Sequence, residues 1–241
     1  PDDDYSVSIF QQQAKSLIDQ LNDKHVVPIL SGGTGLYVQS LLENYNFNDI
    51  KPNTKLRIEL DELYTEYGVN GLREYAQNLA EKGGIEIKYT DKHRLYRAIE
   101  LMTAGDYKSL IKQTKEGLSY KGPVIGLQRE RSDLYNRINR RVEIMFEKGL
   151  VDEVKQLLKS GVNPNCQAFK GIGYKEVVQY LEGLISYDAC VDLIQKNTRH
   201  FAKRQITWYK RMPYIEWITI DSQTTEAEIY GMACNIIDSS F

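Results

Sequence analysis

The sequence is poor in the residues that build metal centres and disulfide frameworks. It has three cysteines and three histidines, and neither set is clustered along the chain. An odd number of widely spaced cysteines argues against a disulfide scaffold and a cysteine-rich zinc site, and it is typical of a reducing compartment. We therefore expect a cytoplasmic protein whose own side chains bind no zinc ion.

Long apolar runs are also absent. No stretch of about 18 apolar residues occurs, which argues against a transmembrane helix. The first ten residues have neither the basic nor the apolar region of a secretory signal peptide. Since the sequence does not begin with methionine, and no strand precedes its first predicted helix, we expect that it starts inside a longer protein.

No sign of charge dominates. The sequence has 31 Lys and Arg residues against 33 Asp and Glu residues, and its hydrophobic content of 41% is that of a globular protein. A net charge of −2 does not exclude a nucleic-acid partner, because binding depends on whether positive charge collects on one face.

The first 46 residues have the order of a parallel α/β unit. A helix over residues 5–25, with Ser6 or Ser8 as its N-cap, precedes the apolar run Val26–Leu30, which predicts a buried strand. The glycine-rich turn Ser31–Gly35 and a second helix follow. This alternation of helix, strand and helix predicts an α/β fold.

The rest of the pattern divides the chain into a core and an insertion. Residues 47–105 predict three amphipathic helices and no strand, with Thr90 capping the third. Strands return at Val124–Leu127 and at 214–221. Helices are predicted at 131–148, 150–160, 170–183, 186–211 and after Thr224 or Thr225, either of which can serve as the cap. The prediction is an α/β core of residues 1–46 and 106–241 with a helical insertion of residues 47–105.

The turn Ser31–Gly35 is the first candidate binding element. Backbone N–H groups of a glycine-rich turn can approach an anionic or polar ligand at a helix N-terminus, and Thr34 adds a hydroxyl there. The turn is not a Walker A loop, because no Gly-Lys-Ser/Thr ends it. A tight turn without a ligand explains the glycines equally well.

Two arginines form the second candidate. Arg137 and Arg141 are four residues apart in a predicted helix, so they share one face. Two guanidinium groups on one face suit a diphosphate, because each can bind oxygens in a bidentate manner. Ion pairs with Asp133, Glu143 and Glu147 are the alternative explanation.

Three further stretches place cations beside aromatic residues or glycines. They are HRLYRAIE at 93–100, FKGIGYKEV at 169–177 and FAKRQITWYKR at 201–211. Lysine and arginine neutralise phosphates, and aromatic planes stack on unpaired bases. A solvated helix face or a helix-starting turn explains each stretch alone, but the set predicts a surface that binds a polyanion.

In this order and spacing, five motifs closely resemble the bacterial tRNA dimethylallyltransferases, also called tRNA isopentenyltransferases. The motifs are PILSGGTGLYVQSLL, HRLYRAIE, RINRRVEIMFEKGLVDEV, GIGYKE and RHFAKRQITWYKRM, and the resemblance covers essentially the whole chain. It implies a P-loop NTPase-like parallel-sheet core with a helical insertion that holds the tRNA anticodon stem-loop. It also implies transfer of a dimethylallyl group from dimethylallyl diphosphate to N6 of the adenine 3′ of the anticodon, assisted by Mg²⁺. The partners are then tRNA and the diphosphate donor, without a membrane, and we expect a monomer.

The resemblance also implies roles for individual residues. Thr34 contacts the target adenine near N6 and Arg141 stabilises the departing diphosphate, so both are predicted catalytic residues, and Arg137 and Gly33 join Arg141 in binding diphosphate. Further predicted tRNA contacts lie in the insertion and in the two later basic stretches. Besides Thr34, they are Arg57, His93, Arg94, Arg97, Lys170, Gly171, Gly173, Tyr174, Lys175, Lys203, Arg204, Gln205, Thr207, Trp208 and Lys210.

Two motifs of that family do not occur in these 241 residues. One is the phosphate loop ending in Gly-Lys-Thr, and the other is the Asp-Ser-x-Gln-x-Tyr segment whose aspartate acts as general base. We therefore expect the chain as it stands to be inactive in transfer. Two alternatives stay open: an adenylate isopentenyltransferase that acts on free nucleotides, and a truncated RNA-binding homologue without catalysis. The insertion and the segment Lys203–Lys210 favour tRNA over a free nucleotide.

Overall fold

The computed structural model describes residues 5–47, 50–110 and 118–240. The chain forms two compact units, one made of Pro1–Leu42 and Leu118–Phe241 and the other of Glu43–Gly117. The helices in chain order are α1 (Val7–Asp23), α2 (Gly35–Leu42), α3 (Thr54–Lys82), α4 (Lys92–Thr103), α5 (Arg131–Glu147), α6 (Leu150–Lys159), α7 (Tyr174–Leu181), α8 (Tyr187–Tyr209) and α9 (Glu226–Ser240).

The larger unit contains a parallel sheet of two strands, β1 (Val124–Arg129) and β2 (Ile215–Ile220). Val124 lies opposite Ile215 and Arg129 opposite Ile220. Ile215, Ile218 and Ile220 of β2 are buried. Both strands that the sequence predicts after residue 120 are therefore confirmed.

The predicted strand at Val26–Leu30 is wrong. Within the described ranges these residues pair with no strand, and Val27 and Ile29 are 79% and 90% exposed. A short β-branched run indicates that a segment is compatible with a sheet, but a strand also needs a neighbour whose N–H and C=O groups are free. The helices on either side of this run, α1 and α2, form as predicted.

Helix caps test the boundaries more closely. Ser6 caps α1 by accepting from the Ile9 N–H, and Thr225 caps α9 by accepting from the Glu228 N–H at 3.2 Å. The predicted cap Thr90 is wrong, because α4 begins one residue later. Its cap is Asp91, whose carboxylate accepts from the Arg94 N–H at 3.1 Å.

The smaller unit has a helical core. Helix α3 contains a break at Gly68 (φ 63°, ψ −157°), so the two helices predicted there follow each other with one glycine at the junction. Both halves pack against α4. The buried core consists of Leu56, Leu60, Leu72, Ala76, Ala80, Ile87, Leu95, Tyr96, Ala98, Ile99 and Met102.

Candidate nucleic-acid interface

The turn Ser31–Gly35 packs against the C-terminal half of α8. Gln205 donates from Nε2 to the Gly33 carbonyl at 2.6 Å, and a Cβ at Gly33 would lie 2.6 Å from the same nitrogen. A Cβ at Gly35 would overlap the Trp208 ring. The close approach of α8 therefore requires glycine at position 35, whereas a side chain at position 33 would displace the Gln205 amide.

Thr34 lies between Gly33 and Gly35, which both contact α8, and is itself exposed. Its carbonyl accepts from the N–H groups of Tyr37 and Val38 at 2.9 and 3.1 Å, so α2 begins here. In the described part of the chain its hydroxyl has no hydrogen-bond partner. The hydroxyl and the first N–H groups of α2 are thus available to a polar or anionic ligand.

The second glycine turn, at 171–173, is held by a buried carboxylate. Glu176 accepts from the Gly173 N–H and from Asn197 Nδ2 of α8, each at 2.7 Å. Gly173 has a φ of +106°, which an L-residue adopts only with strain. Burial, followed by the charge of Glu176, raises the pKa of the Cys190 thiol to about 11, so this cysteine is an inert core residue.

The basic residues beside this turn differ in their surroundings. Lys170 and Lys175 are both exposed. Lys175 lies 3.4 Å from Glu176 Oε1, whereas Lys170 forms no ion pair within the described residues. Lys170 is thus the cation of this turn with an uncompensated charge.

Arg137 and Arg141 lie on the exposed side of α5 and form no ion pair among the described residues. The acids proposed as their alternative partners are engaged elsewhere. Asp133 pairs with Arg129, and Glu143 and Glu147 pair with Arg140 at 3.0 and 3.7 Å. The charges of Arg137 and Arg141 therefore remain available to an anion.

These two arginines line an open groove of about 980 Å³, here called the arginine groove. Its wall consists of Leu134, Asn136, Arg137, Ile138, Arg140, Arg141, Ile144, Met145, Lys148, Leu150 and Glu153. The groove adjoins the second glycine turn, because Met145 Cε would lie 3.9 Å from a Cβ at Gly173. Tyr174 also donates to Glu153, a hydrogen bond that raises the tyrosine pKa.

The basic stretch at 201–211, at the C-terminal end of α8, presents its side chains in two directions. Lys203, Arg204, Thr207 and Lys210 are exposed, and the three cations have no ion-pair partner in the part of the chain that is described. Gln205 and Trp208, three residues apart, face the turn Ser31–Gly35 instead. One sequence motif therefore serves both a solvent-facing cationic surface and an internal contact.

Further along its length, α8 also holds α5. Arg199 Nη1 donates to Asn139 Oδ1 at 2.5 Å, and Gln195 Nε2 donates to the Asn139 carbonyl at 3.4 Å. Arg199 and Gln205 are separated by about 9 Å along the helix axis, since each residue adds about 1.5 Å. A single helix thus links α5, the turn at 171–173 and the turn Ser31–Gly35.

In the smaller unit, Arg57 and Arg97 converge on one buried carboxylate. Arg57 Nε lies 2.7 Å from Glu100 Oε1, and Arg97 Nη1 lies 3.3 Å from Glu100 Oε2. Burial opposes ionisation of Glu100, but the hydrogen bonds from Arg57 and from the Asn53 N–H outweigh it and lower the pKa. Glu100 thus anchors both arginines at this surface.

His93 and Arg94 occupy the first turn of α4. Both are exposed, and neither side chain forms an ion pair within the described residues of this unit. Their neighbour Lys92 is engaged, since it pairs with Asp61 at 2.7 Å and lies 4.3 Å from the centroid of the Tyr64 ring.

Comparisons with known proteins place the chain in a family. The family model described as IPP transferase matches residues 1–212. The tRNA dimethylallyltransferase of Clostridioides difficile is 39% identical over 225 residues, which are 92% of this chain and 71% of that protein. The tRNA dimethylallyltransferase of Alkaliphilus metalliredigens is 36% identical, and the alignment covers 98% of this chain and 76% of that protein.

The chain belongs to the IPP transferase family.

Solved structures of similar proteins extend the comparison to the fold. The tRNA isopentenylpyrophosphate transferase of Bacillus halodurans aligns with a TM-score of 0.66 at 33% identity, over 100% of this chain and 76% of that one. The corresponding transferase of Staphylococcus epidermidis aligns with a TM-score of 0.67 at 32% identity. That alignment covers 99% of this chain and 78% of the other. The family resemblance predicted from the five motifs is therefore confirmed.

Three residues of this chain acquire a role only from the structure. Glu176 follows Gly173 by three residues, and its carboxylate accepts from the Gly173 N–H. This is the spacing of a capping box, so a sequence signal existed. Glu100 is three residues after Arg97, which is an ion-pair spacing. The contact between Gln205 and Gly33 has no local signal, because it joins distant parts of the chain.

The residue-level contacts to diphosphate and tRNA stay predictions, as does the use of Mg²⁺. Among the residues that the structure describes, no group of three or more His, Cys, Asp or Glu side chains is placed to hold a metal ion. None of the helices in the described ranges has the length and apolar content needed to cross a membrane.

Proposed function

We propose that this protein transfers a dimethylallyl group from dimethylallyl diphosphate to N6 of the adenine 3′ of the tRNA anticodon. We place β1 and β2 in a P-loop NTPase-like core. The names of the similar proteins support this function over an adenylate isopentenyltransferase. The observation that carries it is the convergence on α8 of an exposed Thr34, the arginine-bearing helix α5 and an exposed row of cations.

The arginine groove is suited to the leaving group. Transfer breaks the bond between C1 of the donor and a diphosphate oxygen, forms a bond between C1 and N6, and releases a proton from N6. Negative charge grows on the diphosphate as that bond breaks, and Arg137 and Arg141 have uncompensated charge to offer. One preorganised donor to such a charge is worth about 3 kcal/mol in other enzymes. We assign the proton of N6 to no residue of this chain.

The exposed cations of α8 and of its C-cap are suited to the RNA backbone. Lys203, Arg204 and Lys210 have no competing acidic partner within the described chain, so phosphates can neutralise them. Thr34 then meets the target adenine, which must leave the loop stack for its exocyclic amine to react. The insertion supplies His93 and Arg94 together with the pair Arg57 and Arg97 as further proposed contacts.

Binding of an unmodified anticodon stem-loop tests the RNA surface. Lys203→Ala and Arg204→Ala should each weaken binding several-fold and reduce the slope of log affinity against log salt by about 0.7–0.9, the value for one phosphate contact. Lys159→Ala on α6 is the matched control. It removes an exposed cation outside the basic stretches 93–100, 169–177 and 201–211. Filter binding across a salt series would measure the slope, and variants that bind like the wild type would contradict the proposal.

A polypeptide of these 241 residues alone should bind this RNA without transferring the dimethylallyl group, because the phosphate loop and the aspartate of the resembling family are not among them. Transfer in the same samples would show that neither motif is required.

Binding of inorganic diphosphate tests the arginine groove. Arg137→Ala and Arg141→Ala should each weaken binding about tenfold, which corresponds to about 1.4 kcal/mol for one lost charge-assisted contact. Arg140→Ala is the control, since Glu143 and Glu147 already neutralise that guanidinium. Calorimetric titration at constant ionic strength would compare the three. Equal losses in all three variants would mean that only the overall charge matters.

The cytoplasmic location, the monomeric state and the magnesium requirement complete the proposal. The first is supported by three scattered cysteines that form no disulfide in the structure. The other two follow from the family resemblance alone.

A further inference from the structure

We infer that Gln205 is a positioning residue for Thr34, an inference that rests on the function proposed above. The basic motif of α8 then has a second role besides binding RNA. It orients the turn Ser31–Gly35, which contacts the target adenine. The argument starts from the hydrogen bond of 2.6 Å between Gln205 Nε2 and the Gly33 carbonyl.

That carbonyl belongs to the peptide group that also contains the Thr34 N–H. A trans peptide is planar, and its C=O and N–H point in opposite directions. Because the Gly33 carbonyl is directed at Gln205, the Thr34 N–H is directed away from α8. The same hydrogen bond therefore orients a backbone donor of Thr34 for a ligand on the opposite side.

The turn needs a contact that fixes its backbone, because its own glycines allow many conformations. Gly32 and Gly33 precede Thr34, and glycines have more accessible backbone conformations than any other residue. On the other side of Thr34, Gly35 lies against the Trp208 ring with no room for a Cβ. Contacts from one helix thus fix both neighbours of Thr34, while the Thr34 side chain stays exposed.

The residues of α8 that position the turn and those that bind RNA lie on different faces of the helix. Gln205 and Trp208 lie on the side that contacts the turn, and Lys203 and Arg204 are exposed. Substitutions on the two faces should therefore affect different measurements. Loss of the cations should lower RNA affinity, whereas loss of the Gln205 amide should leave affinity intact and misplace the adenine.

The test uses a stem-loop RNA with 2-aminopurine next to the target adenine, because its fluorescence rises when the adenine leaves the stack. The target adenine keeps its N6 amine. Gln205→Met keeps the length of the side chain and its neutral charge but removes the donor. We expect it to bind the RNA within about twofold of the wild type, with an unchanged salt slope. The fluorescence rise at saturating protein should be at least fivefold smaller. Lys203→Ala should show the reverse, with weaker binding and a normal rise at saturation.

A second variant breaks the same contact from the other side. Gly33→Ala places its methyl group 2.6 Å from the Gln205 amide, which is the end of a flexible side chain and can move aside without unfolding the protein. It should reproduce the effect of Gln205→Met, and the double variant should be no worse than either single one, because both remove one interaction. Gly32→Ala is the spatial control, since an added Cβ there meets no atom within 4 Å. Amide hydrogen exchange over residues 33–38 should accelerate in the first two variants and stay unchanged in the control.

The outcomes separate this inference from the proposed function. Normal fluorescence in Gln205→Met and Gly33→Ala, with wild-type RNA binding, would overturn the inference and leave the function standing. A loss of fluorescence that merely follows a loss of affinity would place Gln205 among the RNA contacts and also overturn it. Failure of the wild type to bind RNA would overturn the proposed function and, with it, the role of Gln205 toward adenine. If Gln205→Met failed to fold, the comparison of Gly33→Ala with Gly32→Ala would decide.

Discussion

Replacement of Glu100 by alanine is expected to destabilise the helical unit of α3 and α4 by about 3 kcal/mol. The Glu100 carboxylate is buried and accepts from Arg57, from Arg97 and from the Asn53 N–H that precedes α3. Its removal takes the buried counter-charge from Arg57 and one acceptor from Arg97. Breaking a fully buried pair costs about 3–5 kcal/mol, and we take the lower end because Arg57 and Arg97 are 43% and 34% exposed.

Hydrogen exchange of α3 and α4 amides in the whole chain would measure this loss. Glu86→Ala is the control, because Glu86 forms only an exposed ion pair with Lys88, and such pairs are worth about 0–1 kcal/mol. Glu100→Gln should lie between the two, since it keeps the shape of the side chain and part of its hydrogen bonding. Equal protection in Glu100→Ala and Glu86→Ala would show that the carboxylate does not support this unit.

The same carboxylate predicts acid sensitivity. Its folded-state pKa is lowered, so its contribution to stability is complete above the ordinary glutamate pKa of about 4.3 and is lost as the pH falls through the lowered value. Wild-type protection of α4 should therefore decline in that acidic window more steeply than protection in Glu100→Gln. Parallel pH profiles of the two proteins would contradict this account.

Replacement of Glu176 by alanine should have the second large effect, a loss of about 2–3 kcal/mol from α7 and α8. The change leaves the buried Gly173 N–H and the Asn197 amide without their acceptor, and each unsatisfied buried group costs about 1–3 kcal/mol. It also releases the glycine turn at 171–173 from α8, so the predicted RNA contacts at Lys170 and Lys175 lose their fixed position.

The same helix offers a matched control for that prediction. Glu182 is the C-cap of α7, is exposed and forms no ion pair within the described residues, so Glu182→Ala should change stability by less than about 0.5 kcal/mol. Exchange of α7 and α8 amides, together with stem-loop affinity, would compare the two variants. If Glu176→Ala were as stable as Glu182→Ala, the turn would have to be held by other contacts.

The elements that sequence patterns predict well are those stabilised by their own periodicity. Helices α5, α6 and α8 follow their apolar spacing closely, and β1 and β2 follow short apolar runs that find each other. The run Val26–Leu30 has the same composition as a buried strand, but composition does not supply a pairing partner. The cap of α4 was misplaced by one residue because Thr90 and Asp91 both have side chains suited to capping.

The site was predicted as a set of motifs but not as an arrangement. Charge patterns indicated Arg137, Arg141 and Lys203, and the structure leaves all three exposed with no described ion pair. Patterns do not say which polar residues of a motif face inward. Gln205 was grouped with its basic neighbours, and only the fold shows that its amide is used by Gly33.

The break at Gly68 has a consequence for the chain entropy of the helical unit. An unbroken helix of 29 residues would extend about 44 Å, whereas α4 with 12 residues spans about 18 Å. The break allows both halves of α3 to share one short partner, so the whole core lies between Leu56 and Met102. The parallel pair of Val124 with Ile215 closes a loop about twice as long, which costs about 0.6 kcal/mol more in closure entropy. Such long-range pairing slows folding far more than it lowers stability, so we expect the sheet of this chain to assemble more slowly than the insertion.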